Sequence, residues 1–238
     1  MKINSYAKIN LGLHILDKRE DGFHNIITIF QEIDFHDQLT IEKSETIAFD
    51  TNVNWLDSNN NTCISAIKIL KERYPNLPNF KIFLQKNIPT NAGLGGGSSN
   101  GTATLKAINE LCSLNIQHQE MKELAEKISA DSTFFVNGGM QGGEEKGQKL
   151  SPIKNIKIDN YLLLVMPEIK VQTSDAFMFI KKYLVKGQTH IKLSQMLEEL
   201  KAKNLSSELF YNDFEMHVFK THPETVSYTH LTLPTNRE

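Results

Sequence analysis

Apolar and polar residues alternate along Ile9, Leu11, Leu13 and Ile15, which predicts a strand over 7–16. The polar run from Asp17 to Gly22 predicts a turn after it. Two further β regions are expected at 26–33 and 38–42. Cys63, Ile67, Leu70 and Tyr74 are spaced by threes and fours, as on a helix. Asn60 and Asn61 can cap it, and Pro75 and Pro78 end it. Residues 80–85 read as a strand. Leu105, Ile108, Leu111 and Cys112 mark a second helix beginning near Ser98 or Ser99. Met121, Leu124, Ala125 and Ile128 mark a third, stopping near Asp131. Gly138, Gly139, Gly142 and Gly143 punctuate a hairpin that closes at Ser151 and Pro152. A buried strand is expected at 161–166, with helical patterns around 174–185 and 193–201. Strands and helices mix without strict alternation, so the expected class is α+β.

Composition narrows the function classes. The 238 residues allow one large domain or two modest ones. Lys and Arg total 26 against 28 Asp and Glu, a net charge of −2 that argues against general nucleic-acid or anionic-membrane binding. The apolar run at 161–166 is far too short to span a bilayer, and the N-terminus carries no export signal. Cys63 and Cys112 lack metal-ligand spacing and suit a core as small apolar residues. The expectation is a cytoplasmic protein with a small-molecule substrate and no nucleic acid, membrane or protein partner.

The chemistry concentrates between Pro89 and Ser99, PTNAGLGGGSS. Glycines admit positive φ and let bare backbone approach a ligand. The helix that follows offers unpaired N–H groups and a partial positive charge, a site for phosphate. Ser98 and Ser99 could cap that helix, bond a phosphate oxygen or reach a phosphate-bound Mg²⁺. A P-loop needs Lys where Ser98 follows Gly97, and a dinucleotide fingerprint needs Gly where Ser98 stands. Phosphate cradle and structural turn both remain open on glycine content.

Pro89, Thr90, Asn91, Ala92, Gly93, Leu94, Gly95, Gly96, Gly97, Ser98 and Ser99 together resemble the ATP-binding motif of the GHMP kinases. Residues 6–13, YAKINLGL, and 21–24, DGFH, resemble the branch of that family acting on a cytidine-diphosphate-linked methylerythritol. Residues 129–135, SADSTFF, resemble the family's second motif, and 167–177, PEIKVQTSDAF, the opening of its second domain. The match runs in order from about residue 2 to about residue 215.

The resemblance implies a two-domain α+β fold. An N-terminal ATP-binding domain of the ribosomal protein S5 domain 2-like type would span 1–155. An incomplete ferredoxin-like domain would span 156–225, and residues 226–238 would lie outside the family. It also implies transfer of the ATP γ-phosphoryl group to the 2-hydroxyl of the acceptor, in the non-mevalonate isoprenoid route.

Asp131 takes the position of the catalytic base in the family; as an isolated residue it reads rather as a helix cap. Lys8 would sit beside Asp131 and the acceptor hydroxyl; alone, it reads as a solvent-facing strand lysine. Asn10 shares its strand face and could bond substrate. Phe23 and His24 are assigned to the cytosine end, with Phe177 as the opposite stacking wall; Phe177 also fits core packing. No His or Cys cluster suits a metal. Mg²⁺ would arrive with ATP, with Ser99 the one protein ligand suggested.

Two departures stand out. Ser132 and Thr133 replace the family's Val and Pro after the aspartate. After Asn212 to Glu215 the third glycine-rich motif is absent, and residues 226–238 read as foreign sequence on a shortened chain. The alternatives are another small-molecule kinase of the family, or an inactive remnant that binds nucleotide.

Overall fold

The computed structural model describes residues 1–56, 59–158, 161–167, 169, 191–205 and 208–230. Two long strands form its spine, β1 (Lys2–Lys18) and β2 (His24–Ser44), antiparallel along almost their whole length. The 26–33 and 38–42 regions are therefore one strand. The polar residues between them do not break it because Asp37, among them, is fully buried and finds polar partners. On the other edge of β2, β4 (Asn79–Gln85) pairs with its C-terminal half. β5 (Met140–Glu144) pairs with its N-terminal half. β3 (Ala48–Thr51), which the pattern does not reveal, adds in parallel to β4, and β6 (Lys149–Pro152) closes the expected hairpin with β5.

Three helices cover the β2–β4 half of this six-stranded sheet: α1 (Thr62–Arg73), α2 (Gly96–Leu111) and α3 (His118–Glu126). Leu39, Ile41, Phe80, Ile82 and Leu84 meet Ile67, Leu70, Ile108 and Leu124 in the main core. Cys63 belongs to it, its thiol pushed up to about 12 by burial, in keeping with a packing role. After α3 a 3₁₀ turn, Ala130–Thr133, leads into the short α4 (Phe134–Asn137). The third helix thus ends earlier than expected, and Asp131 lies on the turn beyond it.

Later residues return to the sheet. α5 (Leu193–Lys201) lays Met196 and Leu200 against Ile27, Ile29 and Met140. A 3₁₀ turn (Glu208–Phe210) and α6 (Glu215–Thr221) follow, and the chain between them is tied to β1. Leu13 N–H donates to the Tyr211 carbonyl at 3.0 Å, and Asp213 N–H to that of Leu13 at 2.9 Å. Residues 223–230 form a 3₁₀ turn. The run at 161–166 is not a buried strand. It pairs with no strand among the described residues and leaves Tyr161, Leu163 and Met166 exposed. An apolar run becomes a buried strand only where a neighbour offers its backbone edge. The helical pattern at 174–185 lies outside the described residues.

Candidate active site

The glycine loop leaves β4 and enters α2 through three left-handed residues, Asn91, Gly93 and Gly95, with φ of 57°, 73° and 67°. Gly95, not a serine, stands at the N-cap of α2, and among the described residues no side chain caps the helix. The glycines let the backbone turn helical two residues before Ser98, so neither serine caps. A side chain at Gly95 would come within 2.8 Å of the Phe135 ring and 3.0 Å of Lys8 Cγ. The loop therefore lies flat against β1 and α4, and Lys8 N–H donates to the Leu94 carbonyl at 2.9 Å.

Lys8 is buried, and its ammonium faces inward. It lies 3.5 Å from Asp131 Oδ2, donates to Asn10 Oδ1 at 2.7 Å and sits 5.4 Å above the centre of the Phe30 ring. The solvent-facing reading of Lys8 is thus set aside. Asn10 in turn donates to Thr28 Oγ1 at 2.8 Å, so both ends of its amide are occupied and it orients Lys8. Asp131 makes no capping bond, and its side chain keeps 40% of its surface exposed. A carboxylate held at one edge by a buried cation and open at the other can receive a hydroxyl proton.

The turn carrying Asp131 is fastened to α2. Ser129 Oγ donates to Ser98 Oγ at 2.7 Å, and Thr102 Oγ1 to the Ser132 carbonyl at 2.9 Å. Ser99 is buried and accepts from Ser5 Oγ at 2.7 Å, which leaves one acceptor position on its oxygen. Behind the turn, burial raises the Glu32 pKa and lowers that of Lys106, whose ammonium donates to the Phe135 carbonyl at 2.7 Å. On the far side of the loop opens a cavity of about 330 Å³. Thr90, Gly97, Asn100 and Lys86 line it from the loop side, and Asn61, Thr62 and Leu56 from α1 and its approach. Among the described residues no group of three or more His, Cys, Asp or Glu could hold a metal ion. No helix there is long and apolar enough to cross a membrane.

Phe23 and His24 stand at the far end of the β1–β2 ladder. Lys8 pairs with Glu32 and Lys18 with His24, so the two ends are separated by no more than about 27 Å along β2. Phe23 is 59% exposed, with Lys146 Nζ 5.1 Å from its ring centre, while His24 is buried. Phe177 lies outside the described residues. Sequence reasoning missed Asp37, Lys86, Asn100 and Ser5, which form a buried polar cluster under the loop. A signal was present: Asp37 shares a strand face with Leu39 and Ile41, and Lys86 extends the stripe of Phe80, Ile82 and Leu84. A charge on each of two apolar stripes needs a buried partner.

The architecture has counterparts among known proteins. A profile described as the GHMP kinases N terminal domain matches residues 61–140. The 4-diphosphocytidyl-2-C-methyl-D-erythritol kinase of Caldicellulosiruptor bescii is 36% identical over 213 residues, 88% of this chain and 74% of the relative. That of Parabacteroides distasonis is 37% identical over 219 residues, 91% of this chain and 78% of the relative. A crystal structure of 4-(cytidine 5'-diphospho)-2C-methyl-D-erythritol kinase superposes with a TM-score of 0.75 at 25% identity, covering 96% of this chain and 81% of its own. The chain belongs to the GHMP kinases, small-molecule kinases that use ATP. Within them its family is that of the 4-diphosphocytidyl-2-C-methyl-D-erythritol kinases. It spans 61 to 78% of the length of the relatives it matches.

Proposed function

We propose that this chain transfers the γ-phosphoryl group of ATP to the 2-hydroxyl of 4-diphosphocytidyl-2-C-methyl-D-erythritol. The observation that carries the reading is the Lys8–Asp131 pair, 3.5 Å apart and packed through Gly95 against the glycine loop. Phosphoryl transfer asks mainly for positioning and charge stabilisation, with a carboxylate to orient the attacking hydroxyl. Asp131 accepts the hydroxyl proton at Oδ1 or Oδ2. Lys8 offsets charge on the phosphoryl oxygens, and Asn10 holds Lys8 in place.

The amides at the start of α2 receive the ATP phosphates, and the cavity beside α1 takes the rest of the nucleotide. Ser99 would be the one protein ligand for a Mg²⁺ ion arriving with ATP, which would offset charge on the phosphates. Phe23 stacks on the cytosine and His24 contacts its edge, with Phe177 as the opposite wall. We further propose a boundary near residue 155 between a nucleotide-binding unit and a second unit, and a cytoplasmic location. Neither another GHMP activity nor an inactive remnant is favoured, since the relatives reported above share one name.

The test is steady-state phosphorylation of this acceptor by the chain and by Asp131→Asn. The variant is expected to lose about 10²- to 10⁴-fold in kcat, the range for a positioned acid–base group, while retaining ATP affinity. Equal turnover by the two proteins would remove Asp131 from the chemistry. Turnover of neither, with ATP still bound, would return the remnant reading.

A further inference from the structure

Asp37 and Lys86 form an ion pair for which the reaction as described has no use. Strand register brings them together: Leu39 lies opposite Leu84 and Gln38 opposite Gln85, so the next step along β2 and β4 sets Asp37 against Lys86. Lys86 Nζ lies 2.5 Å from Asp37 Oδ2, and the two side chains are 3% and 0% exposed. Taking two charges out of water is costly, and stability alone rarely repays it.

The rest of the carboxylate shows what the pair serves. Oδ1 accepts from the backbone N–H groups of Asn87 at 2.7 Å and Ile88 at 2.8 Å. Oδ2 accepts from Asn100 Nδ2 at 2.9 Å in addition to Lys86. A carboxylate offers about four acceptor positions, and all are filled. Their donors come from two places only. Residues 86–88 lead into the glycine loop, and Asn100 lies one turn into α2, where the chain leaves it. Between these ends stand the three left-handed residues, one of them the non-glycine Asn91, for which that conformation is uncommon.

We propose that Asp37 is a positioning residue, a buried clasp that joins the two ends of the glycine loop and presets its backbone for the ATP phosphates. The inference rests on the nucleotide reading of the loop given above. Ser5, the cross-strand partner of Asp37, extends the clasp by accepting from Asn100 at 3.0 Å and donating to Ser99.

Calorimetric titration with ATP, and separately with CDP as a probe of the acceptor site, tests it in three variants of the full chain. Asp37→Asn turns an amide NH₂ toward donors. Asp37→Asn with Lys86→Met also removes the orphaned charge, so that the fold survives. Asn100→Ala cuts one end of the clasp; because Asn100 and Lys86 also line the cavity, the loss of ATP affinity must appear in Asp37→Asn as well to support the clasp. Each is expected to weaken ATP about tenfold or more, with CDP affinity and melting cooperativity retained. Unchanged ATP affinity in a folded variant, or an equal loss for CDP, overturns the clasp. If no variant folds, amide exchange in the unaltered chain decides. Asn87 and Ile88 must exchange as slowly as the β2–β4 ladder, and loop-like rates overturn the proposal. An unaltered chain that binds no ATP removes the nucleotide reading instead, while the exchange rates still report on the clasp.

Discussion

Two helix N-termini meet in this protein and are finished in opposite ways. At α1, Asn61 is extended, and its side-chain oxygen accepts from the amides of Cys63 and Ile64 at 3.0 and 3.1 Å. At α2, Gly95 turns left-handed and offers no side chain at all. The ends touch, Thr62 Oγ1 donating to the Gly97 carbonyl at 2.6 Å. Both helices face the same requirement, since the first amides of any helix lack intrahelical acceptors. The chain satisfies one set internally; on the function proposed above, the other receives the ATP phosphates. A capped end contributes stability; an uncapped end beside a cavity and the Lys8–Asp131 pair suits an anion.

Three substitutions test this contrast. Gly95→Ala has the largest expected effect. It forces a side chain into left-handed backbone, about 1–2 kcal/mol, and overlaps Phe135 and Lys8, about 1–3 kcal/mol more. Lower melting temperature and loss of phosphoryl transfer together are the expected result. Normal transfer would mean that the loop need not lie against Lys8.

Gly97→Ala separates ligand from fold. Gly97 has ordinary helical backbone, and its nearest neighbour for an added Cβ is Thr62 Cγ2 at 3.9 Å. Alanine there should raise helix stability by up to about 1 kcal/mol while weakening ATP about tenfold, because the methyl stands where phosphate approaches. A thermal melt and an ATP titration that move in the same favourable direction would contradict an anion site at this end.

Asn61→Ala has the smallest expected effect. Loss of the cap should cost about 1 kcal/mol, a fall in Tm of about 2–4 °C for a chain of this size. Because Asn61 also lines the cavity, ATP affinity should fall, but by less than in Gly97→Ala. A larger fall would make Asn61 a ligand contact first and a cap second.

The sequence by itself determined the local elements and the residue types of the site. The alternation at 7–16, the helix spacing at 63–74 with its Asn61 cap, and the glycine hairpin all appear in the structure, because each depends on neighbours a few residues apart. Lys8, Asp131 and the glycine loop were singled out by a resemblance whose motifs are contiguous. Tertiary structure decided what no short window contains. It turned Lys8 inward, made one strand of 24–44, moved the start of α2 to Gly96 and left all of 161–166 but Leu164 exposed. It also set Asp37 against Lys86, 49 residues apart, through the register of β2 on β4. An irregularity between Tyr6 and Ala7 shifts the faces of β1, so that Ser5 and Lys8, three residues apart, both face α2 and its loop. Strict alternation would have put them on opposite faces. Local pattern selects the element. Which face of it meets which partner, and therefore where its charges find company, is fixed only when the strands pair.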